Sequence, residues 1–328
     1  MNGRKWRIAS VVLAFVSAGP LAAAPANVAY PTKPIRFVVP YPPGGTTDIV
    51  ARGIGQRLAE RLGQQVVIDN RGGASTIIGA EAVAKSAPDG YTLLLATATT
   101  LSINPNVFAR LPYQPRDFAP ISSATYVPFV IAAHPSFAPS SMSELIALAK
   151  AKPGTIKYST PGTASTNHVA GALLETMAGV KLLHVPYKGS GPAATAALSG
   201  EVQFVITGIG TLVSHWKAGK MKILAFGSPK RHPNWPDIPS TGEAGLKDYE
   251  AGTWFGVVTR AGTPKPIVDK LNAEIVAALV APQLKDRLVS IGFDVLGSSP
   301  EEFARFMKAD MARAAKVIQA AGIKLTDQ

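Results

Sequence analysis

The chain contains no cysteine, and that absence removes thiolate nucleophiles, disulfides, cysteine-based zinc sites, iron–sulfur clusters and a lipoprotein anchor. Charge is sparse, at 16% of 328 residues, and aromatics are only 7%. Low charge with 47% apolar residues excludes a disordered tail, a coiled coil or a collagen-like chain. Long apolar runs are missing too. The longest, Ile8 to Ala18, is about half of the roughly 20 residues a membrane-spanning helix needs. Enzyme signatures are scarce. There is no Gly-x-Ser-x-Gly elbow, no His-Glu-x-x-His and no Walker A sequence, and the five histidines lack metal-ligand spacing. Gly208-Ile209-Gly210 starts a dinucleotide-type turn, but Val213 takes the third glycine position. The pattern calls for no metal and no cofactor.

What is present begins with an excess of positive charge, 33 Lys+Arg against 21 Asp+Glu, or +12. Such an excess suits nucleic acid, an anionic membrane surface or small acidic ligands. Residues 1–26 read as a secretory signal: Arg4, Lys5 and Arg7, the short apolar run, then Ala24-Pro25-Ala26 with cleavage expected after Ala26. Its removal leaves 30 cations against 21 anions, +9. The rest of the basic surplus is spread out and not interleaved with aromatics, so nucleic acid is not an expected partner. A soluble, exported, periplasmic protein is expected.

Along the mature chain, strand-like and helix-like segments alternate. Ile35–Val39, Val66–Ile68 and Tyr91–Leu95 are short apolar runs typical of strands buried on both faces. Val50, Ile54, Leu58 and Leu62 form one stripe of a helix that stops at Gly63. Residues 104–120 read as irregular and 228–250, with four prolines, as a surface connection. Strands are expected at Val127–Ala133, Lys157–Ser159, Leu182–Val185, Val202–Thr207, Lys222–Phe226 and Trp254–Val258. Helices are expected at Thr166–Ala178, Ala193–Leu198, Thr211–Ala218 and Ile267–Leu279. Ser141-x-x-Glu144 and Ser299-Pro300-Glu301-Glu302 are helix starts. The pattern is α/β, with two parallel sheets covered by helices on both faces.

Four loops after strands are rich in Gly, Ser and Thr: Pro42–Asp48, Gly72–Thr76, Thr160–Ser165 and Thr207–Thr211. Each offers backbone N–H groups, hydroxyls and the positive end of a helix dipole, which is chemistry for holding an anion. Singly, each is a turn with an N-cap; four at equivalent places point to a site. Asp48 and His168 stand just past two of them, and an alternative reading makes them the acid and base of an exported hydrolase or isomerase.

At these loops the sequence resembles the solute receptors of tripartite tricarboxylate transporters, the Bug family of periplasmic binding proteins. The resemblance is carried by Tyr30-Pro31-x-Lys33-Pro34-Ile35-Arg36, Val39-Pro40-Tyr41-Pro42-Pro43-Gly44-Gly45-x-x-Asp48, Pro88-Asp89-Gly90-Tyr91, Tyr158-Ser159-x-x-Gly162-x-x-Ser165-x-x-His168, His184–Gly189 and Trp254-Phe255-Gly256. These run in family order from residue 30 to about 265. The resemblance implies two doubly wound α/β domains joined by two crossing strands, a type II periplasmic-binding-protein-like fold that closes as a flytrap. Domain 1 would be 27–127 plus 252–328 and domain 2 would be 128–251. It implies a monomer that captures a small organic carboxylate and delivers it to membrane subunits, with no catalysis. Carried over by motif, the contacts would be Gly44, Gly45, Thr46, Asp48, Ser75 and Thr76 on one side. Thr160, Gly162, Thr163, Ser165, His168, Thr207 and Gly208 would face them, with Tyr41 and Trp254 as walls. Members often have Arg-Pro-Gly-Ala-Gly-Gly where this chain has Arg71-Gly72-Gly73-Ala74-Ser75-Thr76; the added hydroxyls and bulk imply a changed or smaller pocket.

Overall fold

The computed structural model describes residues 30–320 and Ile323; the signal sequence expected at 1–26 lies outside them. In chain order the elements are β1 (Ile35–Val39), α1 (Thr46–Leu62), β2 (Val66–Asn70), α2 (Ile77–Ala84), β3 (Thr92–Thr97), α3 (Asn104–Val107), β4 (Phe118–Ala133), α4 (Met142–Ala151) and β5 (Lys157–Thr160). They continue with α5 (Thr166–Ala178), β6 (Leu183–Pro186), α6 (Ser190–Leu198), β7 (Phe204–Gly208), α7 (Val213–Lys217), β8 (Lys222–Phe226) and β9 (Gly252–Arg260). The last are α8 (Lys265–Val280), α9 (Pro282–Ser290), β10 (Asp294–Val295) and α10 (Pro300–Ala320). No helix among the described residues is long and apolar enough to cross a membrane.

The strands form one ladder in the order β2-β1-β3-β9-β4-β7-β5-β6, with β8 and β10 also paired to β4. Parallel pairing, expected throughout, holds for β1 with β2 and β3 and for β5 with β6 and β7. The pairs made by β9 and β4 are antiparallel. β4 extends much further than the Val127–Ala133 run suggested. Phe118–Pro128 pairs with β9, and Phe129–Ala133 then pairs with β7. Pro120 hid the first half from the sequence reading; the register shifts between Pro120 and Ser122, so the missing donor falls at an irregularity.

The apolar runs are explained by burial on two faces. Phe129, Ile131 and Ala133 feed one core cluster while Val130 and Ala132 feed another on the opposite face. Helix ends follow their caps. Gly63 closes α1 at φ 65, and the Ser141 and Ser165 hydroxyls accept from the N–H groups of Glu144 and His168. The 228–250 connection is less superficial than its prolines suggested. Ile238 and Tyr249 are buried, and the Tyr249 hydroxyl donates to the Ala170 carbonyl at 3.0 Å.

Candidate functional site

The first residues of three helices, Thr46 of α1, Thr166 of α5 and Ser190 of α6, line one cavity. It is small, with a volume of about 20 Å³. Tyr41 and Thr97 complete one wall, and Pro161, Asn167 and Gly208 the other. Phe129, Thr253 and Phe255, from β4 and β9, are the remaining lining residues. None of these residues carries a charge at neutral pH. Each helix start places roughly half a positive charge at its N-terminus, worth up to about 2 kcal/mol to a partly buried anion. Three together, with hydroxyls between them, are chemistry suited to an anion without Lys or Arg.

Several close approaches span the two walls. Thr46 Oγ1 lies 3.0 Å from Thr211 Oγ1, and the Thr166 N–H donates to Thr99 Oγ1 at 3.1 Å. Ser75 Oγ donates to the Thr163 carbonyl at 2.5 Å. A Cβ at Gly208 would stand 2.7 Å from Val127 Cγ1 and 3.5 Å from Thr46, which is why this position carries no side chain. Burial raises the Tyr41 phenol, opposed by the hydroxyls of Thr99 and Thr97.

The residues named from sequence fall into distinct places. Tyr41, Thr46 and Gly208 line the cavity, and Gly45 is the N-cap of α1, with Ser190 facing it. Asp48 is buried and its carboxylate is taken up inside its own loop. It accepts from the Gly44 N–H, from Arg52 Nε and from Asn70 Nδ2. Burial works to raise this carboxyl, but the Arg52, Gly44 and Asn70 hydrogen bonds outweigh it and hold the group below the ordinary carboxylate value. Asp48 therefore braces the Gly44–Gly45 turn. Thr160 Oγ1 lies 2.6 Å from His184 Nε2, and Ser165 Oγ donates to the Gly162 carbonyl. Thr76 is buried in a network with Thr100 and Asn104. The Thr207 hydroxyl is buried without a hydrogen-bond partner among the described residues, beside the cavity residue Gly208.

His168 is not placed to act as a base. The Ala164 N–H donates to its Nδ1 at 3.2 Å, and its ring stacks on His184 with centroids 4.0 Å apart. Burial lowers the His168 pKa, and burial together with the neighbouring His168 pushes His184 down to about 3. Unfolded histidine protonates near 6.5, so between these values the unfolded chain binds protons that the folded chain refuses. Stability should fall as pH is lowered from about 6.5. Denaturant melts at pH 7, 6 and 5 should show this decline, and His184→Gln should flatten it; an unchanged slope would contradict the assignment.

Trp254 does not line this cavity. Thr253 and Phe255 point in, and strand alternation turns Trp254 to the other side of β9. There its Nε1 donates to buried Asp310 at 2.7 Å, and its ring packs edge-on against Phe303 and Phe306. A larger space of about 80 Å³ on that side is lined by Glu250 and Asp310. Its one cation, Arg313, is already paired to Asp310 at 2.8 Å, so this space disfavours an anion. Thr97, Phe129, Thr166, Asn167, Ser190, Thr253 and Phe255 were missed from sequence; only Gly189-Ser190-Gly191, another small-residue loop after a strand, carried a local signal.

Residues 50–323 match the family described as tripartite tricarboxylate transporter family receptor. The chain belongs to this family. Protein BugT of Bordetella pertussis is 34% identical over 97% of this chain and 98% of its own length. Among solved structures, an R. palustris protein with adipate is 36% identical, with a TM-score of 0.88 over 90% of this chain and 100% of that one. MatC from Rhodopseudomonas palustris, with bound malate, is 32% identical, with a TM-score of 0.83 over 88% and 100%. The family consists of solute-binding receptors, so the acid–base alternative built on Asp48 and His168 is set aside: this is a receptor and not an enzyme.

Proposed function

We propose that the chain is a periplasmic, monomeric receptor that closes on a small organic carboxylate and presents the closed form to membrane subunits of a tripartite tricarboxylate-type transporter. The observation that carries this is the convergence of the first residues of α1, α5 and α6 on one uncharged cavity. The adipate and malate held by two similar proteins support the ligand class. In this reading the chain is exported after cleavage behind Ala26. Residues 27–127 plus 252–328 form one lobe and 128–251 the other, with β4 and β9 as the crossings. The Thr46–Thr211, Ser75–Thr163 and Thr99–Thr166 approaches are then closed-form contacts, which a ligand stabilises by binding the closed state better than the open one.

The test is a thermal-stability titration of ligand-free mature protein with mono-, di- and tricarboxylates, followed in parallel by tryptophan fluorescence. A ligand at a hundred times its Kd should add about 2.7 kcal/mol. A broad panel in which no carboxylate shifts either signal contradicts the proposal.

A further inference from the structure

The space of about 80 Å³ beside Trp254 separates two helices. Ala314 and Val317 of α10 line one side of it, and Val169, Ala170 and Leu173 of α5 line the other. Thr166 and Thr253 line both this space and the anion cavity, so the two share a wall at β9 and the start of α5. Interiors are close-packed, with few voids larger than a water molecule, so a gap of this size between two helices calls for a reason. Ala314 is buried in the same core cluster as Val169, and its side chain ends at Cβ.

Each helix is tied to a different part of the chain. On α10, Asp310 accepts from Trp254 Nε1 at 2.7 Å, the Met311 carbonyl accepts from Asn106 Nδ2 at 3.2 Å, and the Phe303 ring fills the room above Gly256. α10 is thereby fastened to residues 27–127 and 252–328. On α5, Asn167 Nδ2 donates to the Ile206 carbonyl at 2.9 Å, and the Ala170 carbonyl accepts from the Tyr249 hydroxyl at 3.0 Å. The Tyr158 ring packs where Gly171 has no side chain. α5 is thereby fastened to residues 128–251.

We infer that the gap between α10 and α5 sets ligand affinity from behind the hinge, with Ala314 as the residue that leaves the receptor room to open. The inference rests on the closure reading given above, in which β4 and β9 are the crossings. Parting the Thr46–Thr211 and Ser75–Thr163 contacts on the anion side turns α5 toward α10 on the other side of β9. A longer side chain at position 314 occupies that room and blocks the rotation. The fraction of ligand-free protein that is closed then rises. Apparent affinity scales with this fraction, so binding tightens although position 314 does not line the anion cavity.

The experiment compares mature wild type, Ala314→Leu and Ala309→Leu by small-angle X-ray scattering without ligand and by calorimetric titration with succinate, adipate, benzoate and citrate. Leucine suits a helix, and Ala309 is an exposed residue of α10 outside this space. Ligand-free Ala314→Leu should have a smaller radius of gyration than ligand-free wild type. It should bind the tightest of the four acids at least about threefold more tightly, while Ala309→Leu matches wild type in both measurements. Ala314→Met, whose flexible side chain adapts to irregular gaps, carries the same expectation should leucine prevent folding. A folded position-314 variant with wild-type size and affinity, or with weaker binding, overturns the inference. So does an equal shift in Ala309→Leu, and so does ligand binding that leaves wild type uncontracted. If none of the four acids binds yet the position-314 variant is still the more compact, the carboxylate reading fails and the hinge inference stands.

Discussion

Gly45→Val should lower ligand affinity at least a hundredfold while leaving the ligand-free protein folded. Gly45 is the N-cap of α1 at φ −87, ψ 177, an extended conformation that valine adopts readily. A Cβ there would lie 3.7 Å from Ser190 Cβ and 3.9 Å from the Ser190 backbone nitrogen, an ordinary contact. The two methyl groups beyond it are the problem, because they project into the gap between the N-termini of α1 and α6. That gap is where the proposed carboxylate would sit and where the walls come together. A hundredfold loss corresponds to about 2.7 kcal/mol, reasonable for blocking two helix starts at once. Stability should fall by only about 1 kcal/mol, because valine is a poorer N-cap than glycine but Gly45 makes no side-chain capping bond to lose. Calorimetry and melting of the ligand-free variant measure the two effects separately, and undiminished binding would place the ligand elsewhere.

Gly256→Val should be the most damaging change to stability, by about 3 kcal/mol. Gly256 lies in β9 opposite Ala96 and Ser123. A Cβ there would stand 2.1 Å from Phe303 Cζ and 2.7 Å from Cε1, so the ring of Phe303 occupies the glycine's missing side chain. Phe303 is fully buried in α10 and packs edge-on against Trp254, with centroids 5.5 Å apart. Valine must drive the ring out and shift α10 away from the sheet. Overpacking costs about 1–3 kcal/mol, and partial exposure of a phenylalanine adds up to about 1.5–3 kcal/mol. The midpoint of thermal unfolding should fall by roughly 6–10 °C. Combining it with Phe303→Ala should cost clearly less than the sum of the two single changes, because the clash is then gone. Additive losses would show that the ring is not the obstacle.

How much of this could be read in advance depended on whether a feature was local. The α1 stripe and its Gly63 stop, the Ser141 and Ser165 caps and the apolar runs of β1 and β3 are encoded within a few residues, and the elements formed there. The length of β4 was not, because Pro120 reads as a breaker until a register shift in a long-range pairing absorbs it. The antiparallel setting of β4 and β9 also depends on partners far away in sequence.

The cavity divides along the same line. Gly45, Thr46 and Gly208 belong to loops whose composition announced them. Phe129, Thr253 and Phe255 are ordinary strand residues whose direction is decided by what packs on each face, and Trp254, between two of them, turns to the other side of β9. Asp48 stood out because it ends the Pro42–Asp48 loop and belongs to the motif shared with the family. Its role became visible only when Arg52, Asn70 and the Gly44 N–H were seen to surround it.

The most direct test of the account is a crystal structure of the mature protein with the tightest-binding carboxylate of the panel. The predicted result is ligand density among Thr46, Thr166 and Ser190, with carboxylate oxygens within hydrogen-bond distance of the starts of α1 and α6. Density instead in the space beside Trp254, Asp310 and Arg313, with the three helix starts left empty, would contradict it.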